Sequence, residues 1–151
     1  MDATEAPGHL ARRFHQIAVA VFHAEVEAAG SDLTPVQYAA LAQIADEPGL
    51  DQATLAGLIA QDRTTMGGVV ERLVEKGFVA RAVSRKDRRA RELRVTDKGR
   101  RMLEKIAPAV AETQRILLSG LNDKEAAQFL KLFAKATAAL NDLSRAPLRA
   151  A

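Results

Sequence analysis

Residues 62–99 read DRTTMGGVVERLVEKGFVARAVSRKDRRARELRVTDKG, and this stretch decides the fold. Met66, Val69, Val70, Leu73 and Val74 stand at i, i+3, i+4, i+7 and i+8, the stripe of one amphipathic helix seated on a core. The opposite side of that helix is small and polar. Gly77 supplies a helix stop suited to the left-handed conformation. Phe78, Val79, Arg81 and Val83 then begin an extended segment, with Val79, Arg81 and Val83 on one face. A basic turn follows, and the chain returns from Arg91 to Thr96 as a second strand, Leu93 and Val95 on one side and Glu92 and Arg94 on the other. A helix followed by a hairpin tipped with SRKDRRAR predicts a winged helix-turn-helix, and with it DNA binding.

The residues before this stretch complete the motif. Asp51 can cap a short helix carrying Leu55, Leu58 and Ile59, and the Ala60-Gln61-Asp62 turn leads straight into the next helix, which Asp62 caps. Upstream, Thr34-Pro35-Val36-Gln37 holds an N-cap, a proline at the first helical position and the far half of a capping box. Tyr38, Leu41 and Ile44 give that helix its apolar spacing, and Glu47-Pro48-Gly49 stops it. Residues 1–8 read as a disordered lead-in to a first long helix from Leu10 to about Ala29. Beyond the hairpin, Thr96 can cap a long helix carrying Met102, Leu103, Ile106, Val110, Ile116 and Leu117, with a bend or break expected at Pro108. Asn122 and Glu125 open a last helix expected to hold Phe129, Leu130, Phe133, Leu140 and Leu143, and the residues from Ser144 onward are expected to fray.

Composition fits one domain: 151 residues, 48% of them apolar, are enough for a core. There is no apolar run long enough to span a bilayer and no signal-peptide succession at the N-terminus, so a cytoplasmic protein with no membrane partner is expected. Cysteine is absent, which excludes disulfides, thiolate zinc sites and cysteine redox sensing. The net charge of +3 is unevenly spread: between Arg81 and Lys105 eleven basic residues face four acidic ones, so this segment carries +7 and the remainder −4. A local positive field on a mildly acidic body suits phosphate binding at one place.

The first helix presents Leu10, Phe14, Ile17, Ala18, Val21, Phe22 and Val26, a face too wide for one neighbour, and the last helix is as rich in Leu, Phe and Ala. Left exposed, these faces exceed what monomers usually tolerate. Pairing of two chains through the end helices removes the problem and supplies the two-fold symmetry that lets two recognition helices meet successive major grooves.

Leu33-Thr34 with Gln37, Leu55-Ala56, Asp62-Arg63-Thr64-Thr65, Glu71-Arg72-Leu73, Glu75-Lys76-Gly77-Phe78-Val79 with Arg81, Asp87-Arg88-Arg89-Ala90, and Leu93 with Thr96 and Gly99 together resemble the MarR family of bacterial transcriptional regulators. The resemblance runs from about Leu10 to Leu143 and rests most on ERLxxKGFVxR coupled to DRRA. It implies a mainly α (α+β) protomer over 1–151, with a winged helix-turn-helix at 34–96 and dimerisation helices at 9–30 and 97–143 forming an intertwined dimer. It further implies repression by blocking a promoter, with release by a small phenolic or aromatic acid. The TTMGG start of the recognition helix is similar to a subset controlling aromatic and nicotinate-type catabolism.

Arg63, Thr64, Thr65, Gly68 and Arg72 fall on the solvent side of the recognition helix and are the expected major-groove residues. Arginine can read guanine with two hydrogen bonds, and threonine can bond phosphate or touch a thymine methyl. Arg89 matches the family's wing arginine, expected in the adjacent minor groove, and Asp87 matches the acidic residue that braces the tip. Arg88 and Lys86 are expected at phosphates. Gly67-Gly68 departs from the family pattern and costs helix propensity; close approach of DNA, a helix adaptable until docked, and packing on a neighbouring helix each offer a reason.

For the effector, Arg12, His15, Val19 and His23 share one face of the first helix, with Phe22 beside them, and Tyr38 on the second helix could close a pocket for an aromatic carboxylate or phenol. The histidines also suit ordinary interface positions. His9, His15 and His23 lack a chelating i, i+4 spacing, so no metal is expected. Phosphate-loop, nucleophile-elbow and His-rich metal motifs are absent, which argues against an enzyme. A nonspecific architectural DNA binder is the alternative, separable by salt and competitor titration.

Overall fold

The computed structural model describes residues 2–150. Its first element is a single 3-10 turn, Ala3–Glu5, whose cap Asp2 accepts the Thr4 N–H at 3.0 Å. Helix α1 (Pro7–Ala28) follows at once, with Pro7 in the first turn, where a missing N–H is no loss. Residues 2–8 are thus not the disordered lead-in expected: a side-chain cap and a proline with fixed φ give them local structure. Met1 lies outside the described residues.

Helix α2 (Pro35–Asp46) starts on the expected capping box, Thr34 and Gln37 exchanging two 3.1 Å hydrogen bonds. Strand β1 (Leu50–Asp51) leads into helix α3 (Gln52–Leu58), capped by Asp51 through the Thr54 N–H at 2.7 Å. A tight turn brings helix α4 (Arg63–Glu75) directly after it, and Ala60 in this turn takes φ +53°, left-handed territory that a non-glycine residue enters at a cost. Strands β2 (Val79–Val83) and β3 (Arg91–Val95) form the wing. Helices α5 (Asp97–Leu117) and α6 (Asp123–Ala139) close the order, and a 3-10 turn spans Asn141–Leu143.

The sheet order is β1-β3-β2, all antiparallel, with Val79 opposite Val95 and Val83 opposite Arg91. The hairpin agrees with the sequence; the third strand was not anticipated. Leu50 pairs with Leu93, and the Gly49 N–H donates to the Leu93 carbonyl at 3.0 Å. Two residues are too few to show a period, so only the tertiary partner defines β1.

One cluster unites the winged unit. Met66, Val70 and Leu73 of α4 are fully buried with Leu41 and Ile44 of α2, Leu55 of α3 and Leu93 of β3. Each such side chain contributes about 1.5–3 kcal/mol by leaving water. Phe22 and Val26 of α1 and Ile106 of α5 join the same cluster and so fasten the long helices to it. The wing and α5 meet at Gly99, where an added Cβ would lie 2.3 Å from the Phe78 carbonyl oxygen. Thr96 seals the junction: its hydroxyl donates to the Gly77 carbonyl at 2.6 Å and accepts the Gly99 N–H at 3.0 Å.

Three expectations about the C-terminal half are corrected. Of the bend or break expected at Pro108, the break is absent: helix α5 runs through it as one element, and Pro108 and Glu104, whose carbonyl loses its donor, both lie on the exposed side, where water can serve the carbonyl. Helix α6 ends at Ala139, so Leu140 is its cap and Leu143 belongs to the 3-10 turn. The chain after Ser144 is tied down rather than frayed. Asn141 accepts the Leu148 N–H at 2.8 Å and donates to the Leu148 carbonyl at 3.0 Å, and the Arg149 N–H donates to the Gly57 carbonyl at 2.8 Å.

Candidate nucleic-acid interface

Helix α4 divides its sides sharply. Met66, Val70 and Leu73 point into the core, while Thr64, Thr65, Gly68 and Arg72 are exposed on the other side, and Arg63, the first helical residue, is exposed beside Gln52 and Ala53 of α3. Its start is fixed by Asp62, which accepts both the Thr65 N–H and the Thr65 hydroxyl at 2.8 Å. These bonds, the backbone one first, together with the Arg145 guanidinium 3.7 Å away, hold the Asp62 carboxyl below its usual range. The Thr65 hydroxyl proton is therefore committed within the helix, leaving its methyl and lone pairs for a partner. Thr64 makes no side-chain hydrogen bond among the described residues, so its donor is free. Arg63 has no acidic partner among them, whereas Arg72 lies 3.3 Å from Glu75, an exposed i, i+3 pair easily exchanged for a phosphate.

The two glycines differ in surroundings. A Cβ on Gly67 would meet Gln52 Nε2 at 3.5 Å, an ordinary contact, and one on Gly68 would meet nothing within 4 Å. Packing on a neighbouring helix therefore does not explain Gly68. Its bare backbone faces solvent on the same side as Thr64 and Arg72, its i−4 and i+4 neighbours.

The wing tip is a built turn. The Ser84 N–H donates to the Ala90 carbonyl at 3.1 Å, and the Ser84 hydroxyl accepts the N–H groups of Lys86 and Asp87 at 3.2 and 3.3 Å. Asp87 accepts the Arg89 N–H at 2.9 Å, and its carbonyl accepts the Ala90 N–H at 3.1 Å. Asp87 thus braces the tip through the main chain of Arg89; no arginine or lysine side chain lies within ion-pair distance of it among the described residues. Lys86, Arg88 and Arg89 are exposed and without acidic partners among the described residues, as is Arg85. Ser84 is buried and was missed from sequence, although a serine three residues before an aspartate at a strand end is a signal for such a turn.

Elsewhere, two contacts tie the α1–α2 linker to the end of α4 and to α5. Lys76, the cap of α4, reaches Asp32 at 2.6 Å, and that bond lowers the Asp32 pKa. Lys105 of α5 donates to the Gly30 carbonyl at 3.2 Å.

The residues proposed for the effector are only partly brought together. Buried Phe22 lies 5.8 Å, ring to ring, from Tyr38 and 6.2 Å from exposed His23. Val19 is half-buried one turn earlier. Arg12 bonds its own helix neighbours, Gln16 at 3.2 Å and His9 at 3.4 Å, and exposed His15 makes no hydrogen bond or ring contact among the described residues. A separate apolar groove of about 1310 Å³ opens on the other face of α1, lined by Leu10, Phe14 and Ile17 with Phe129 and Phe133 of α6 and Leu148. No group of His, Asp and Glu among the described residues could hold a metal ion, and no helix among them is long and apolar enough to cross a membrane.

Comparison with known proteins matches residues 31–90 to the sequence profile described as the MarR family. The chain is 31% identical over 134 residues to the HTH-type transcriptional repressor NicR of Pseudomonas putida, covering 89% of this chain and 84% of that one. Among solved structures it is similar to the PcaV transcriptional regulator of Streptomyces coelicolor in complex with its natural ligand, at 33% identity and a TM-score of 0.84, covering 92% of this chain and 96% of that one. Bordetella bronchiseptica BpsR, whose DNA binding is described as regulated by 6-hydroxynicotinic acid, superposes with the same TM-score at 28% identity, over 91% and 96% of the two chains.

Proposed function

The chain belongs to the MarR family of transcriptional regulators, and from that premise we propose that it is a sequence-specific repressor, bound as a homodimer to a pseudo-palindromic operator and released by a small aromatic acid. The observation that carries the DNA part is the pairing of an exposed polar α4 face with a wing tip whose Arg85, Lys86, Arg88 and Arg89 have no acidic partner among the described residues. Arg63, Thr64, Thr65, Gly68 and Arg72 enter the major groove; Arg89, oriented by Asp87, enters the minor groove; Lys86 and Arg88 hold phosphates. The division of labour follows 34–96 for reading DNA and 9–30 with 97–143 for pairing. A second copy fills the apolar groove between α1 and α6, which Leu10, Ile17, Phe133, Leu140 and Leu148 line, five of the ten large hydrophobic side chains exposed among the described residues.

The effector part rests on the Phe22, His23 and Tyr38 rings beside the α1–α2 linker, and on the aromatic ligand named for BpsR. Arg12 and His15, further along α1, supply the carboxylate partners once the dimer is formed. Release requires that the ligand bind more tightly to the dimer whose recognition helices are wrongly spaced for DNA; equal affinity for both spacings would change nothing. The test is to hold the protein on its operator and titrate 6-hydroxynicotinate, protocatechuate and benzoate. Release by an aromatic carboxylate at concentrations where acetate has no effect supports the proposal; indifference to all three discards the effector class.

A further inference from the structure

We propose that residues Ser144–Arg149 form a strap that positions α4 by fastening the α3–α4 turn to the end of α6. The proposal rests on α4 being the helix that reads DNA. Helix α3 has only seven residues, and the turn after it already serves its last carbonyls: Leu55 accepts the Ile59 N–H at 3.2 Å, Ala56 the Gln61 N–H at 2.9 Å and Gly57 the Ala60 N–H at a long 3.3 Å, which leaves Gly57 room for a second, shorter bond. The Gly57 carbonyl takes the Arg149 N–H at 2.8 Å. The approach is close: a Cβ at residue 57 would lie 3.1 Å from the Arg149 Cβ, tight enough to push the strap outward by a few tenths of an ångström. One residue before that bond the strap is locked back to the end of α6 by Asn141, whose side-chain amide bonds both the N–H and the carbonyl of Leu148. The Ser144 hydroxyl accepts the Ala146 N–H at 3.1 Å inside the loop so closed.

The strap also touches the start of α4. Arg145 extends to 3.7 Å from Asp62, the residue that caps α4 and holds Thr65. Between the two contacts lies Ala60, with its left-handed φ of +53°, lining the same apolar groove as Ala146 and Leu148. The turn that aims the recognition helix is therefore bonded on its outer side to the segment that leaves α6. Any displacement of α6, the helix proposed to pair the two chains, pulls on that turn directly and not only through the core.

Two full-length variants separate the strap from its side chains. Arg149→Pro removes the N–H that bonds Gly57, and Arg149→Ala keeps it while losing an exposed ion pair with Asp142. Asn141→Ala, which frees Leu148, is the second route should the proline variant melt early. Amide exchange is followed over residues 58–66 in the free protein, and affinity is measured for operator and for random duplex. Loss of one net hydrogen bond should speed exchange there roughly fivefold in Arg149→Pro and Asn141→Ala, with Arg149→Ala unchanged. Operator affinity should fall in the first two while random-duplex affinity holds. Unchanged exchange in both overturns the strap, and faster exchange with undiminished operator affinity overturns its positioning role. Failure of the wild-type chain to prefer operator would instead strike the DNA reading of α4, since exchange is measured without DNA.

Discussion

Replacing Gly68 by alanine should make the protein more stable and a worse DNA binder. In the free protein nothing lies within 4 Å of the new methyl group, so no steric cost opposes the gain in helix propensity, about 1 kcal/mol. For a chain of 151 residues this corresponds to a rise of roughly 2–4 °C in melting temperature. On the operator, the proposed docking sets the same methyl where the α4 backbone would come closest to DNA, and forcing the helix outward would strain its neighbours' contacts. Losing one base contact is worth about 1–3 kcal/mol, so affinity should drop tenfold or more. Gly67→Ala is the control: its methyl makes only an ordinary contact with Gln52, so it should stabilise by a similar amount and leave affinity within about twofold. Melting curves at one fixed protein concentration and anisotropy titrations on operator give both numbers. If both variants lose affinity equally, the glycines serve helix adaptability instead; if Gly68→Ala binds as wild type, close approach is refuted.

Other substitutions probe the remaining parts. Arg89→Ala should weaken binding and lower the salt slope by about one, with melting unchanged; wild-type affinity would remove the wing from the interface. His15→Ala should alter the response to aromatic acids while sparing operator affinity, and an unaltered ligand titration would discard that residue. Gly99→Ala sets a Cβ 2.3 Å from the Phe78 carbonyl oxygen and should destabilise by more than about 3 kcal/mol in urea unfolding; a mild effect would mean the wing–α5 junction yields easily. Asp62 has a lowered native pKa, so its contribution is present above the unfolded value of about 3.9 and is lost as pH falls through the native one. Asp62→Ala should therefore lower stability at pH 7 and show a shallower acid limb below about pH 4, and parallel limbs in the two proteins would contradict this.

What could be read from the sequence was local. The Met66–Val74 stripe, the Thr34 and Asn122 capping boxes, Asp51 and Asp62 as caps, Gly77 and the two wing strands all declare themselves within a few residues. Features that depend on distant partners did not. Strand β1 exists because Leu93 is beside it, and the strap exists because Gly57 leaves room for Arg149. Asp87 was placed correctly at the tip, but a carboxylate between arginines suggests an ion pair, and the shorter path to the Arg89 N–H won. On α1 the period grouped Arg12, His15, Val19 and His23 on one face; it could not say that Arg12 would turn to His9 and Gln16 while Phe22 met Tyr38.

The most direct measurement is fluorescence anisotropy of the purified protein on the DNA upstream of its own gene, at several salt concentrations, with unrelated duplex as competitor. A complex that withstands about a thousandfold excess of competitor is predicted and would establish a sequence-specific regulator. Equal loss to any duplex, with a steep salt slope at every sequence tested, would contradict the account and leave a protein that coats DNA without reading it.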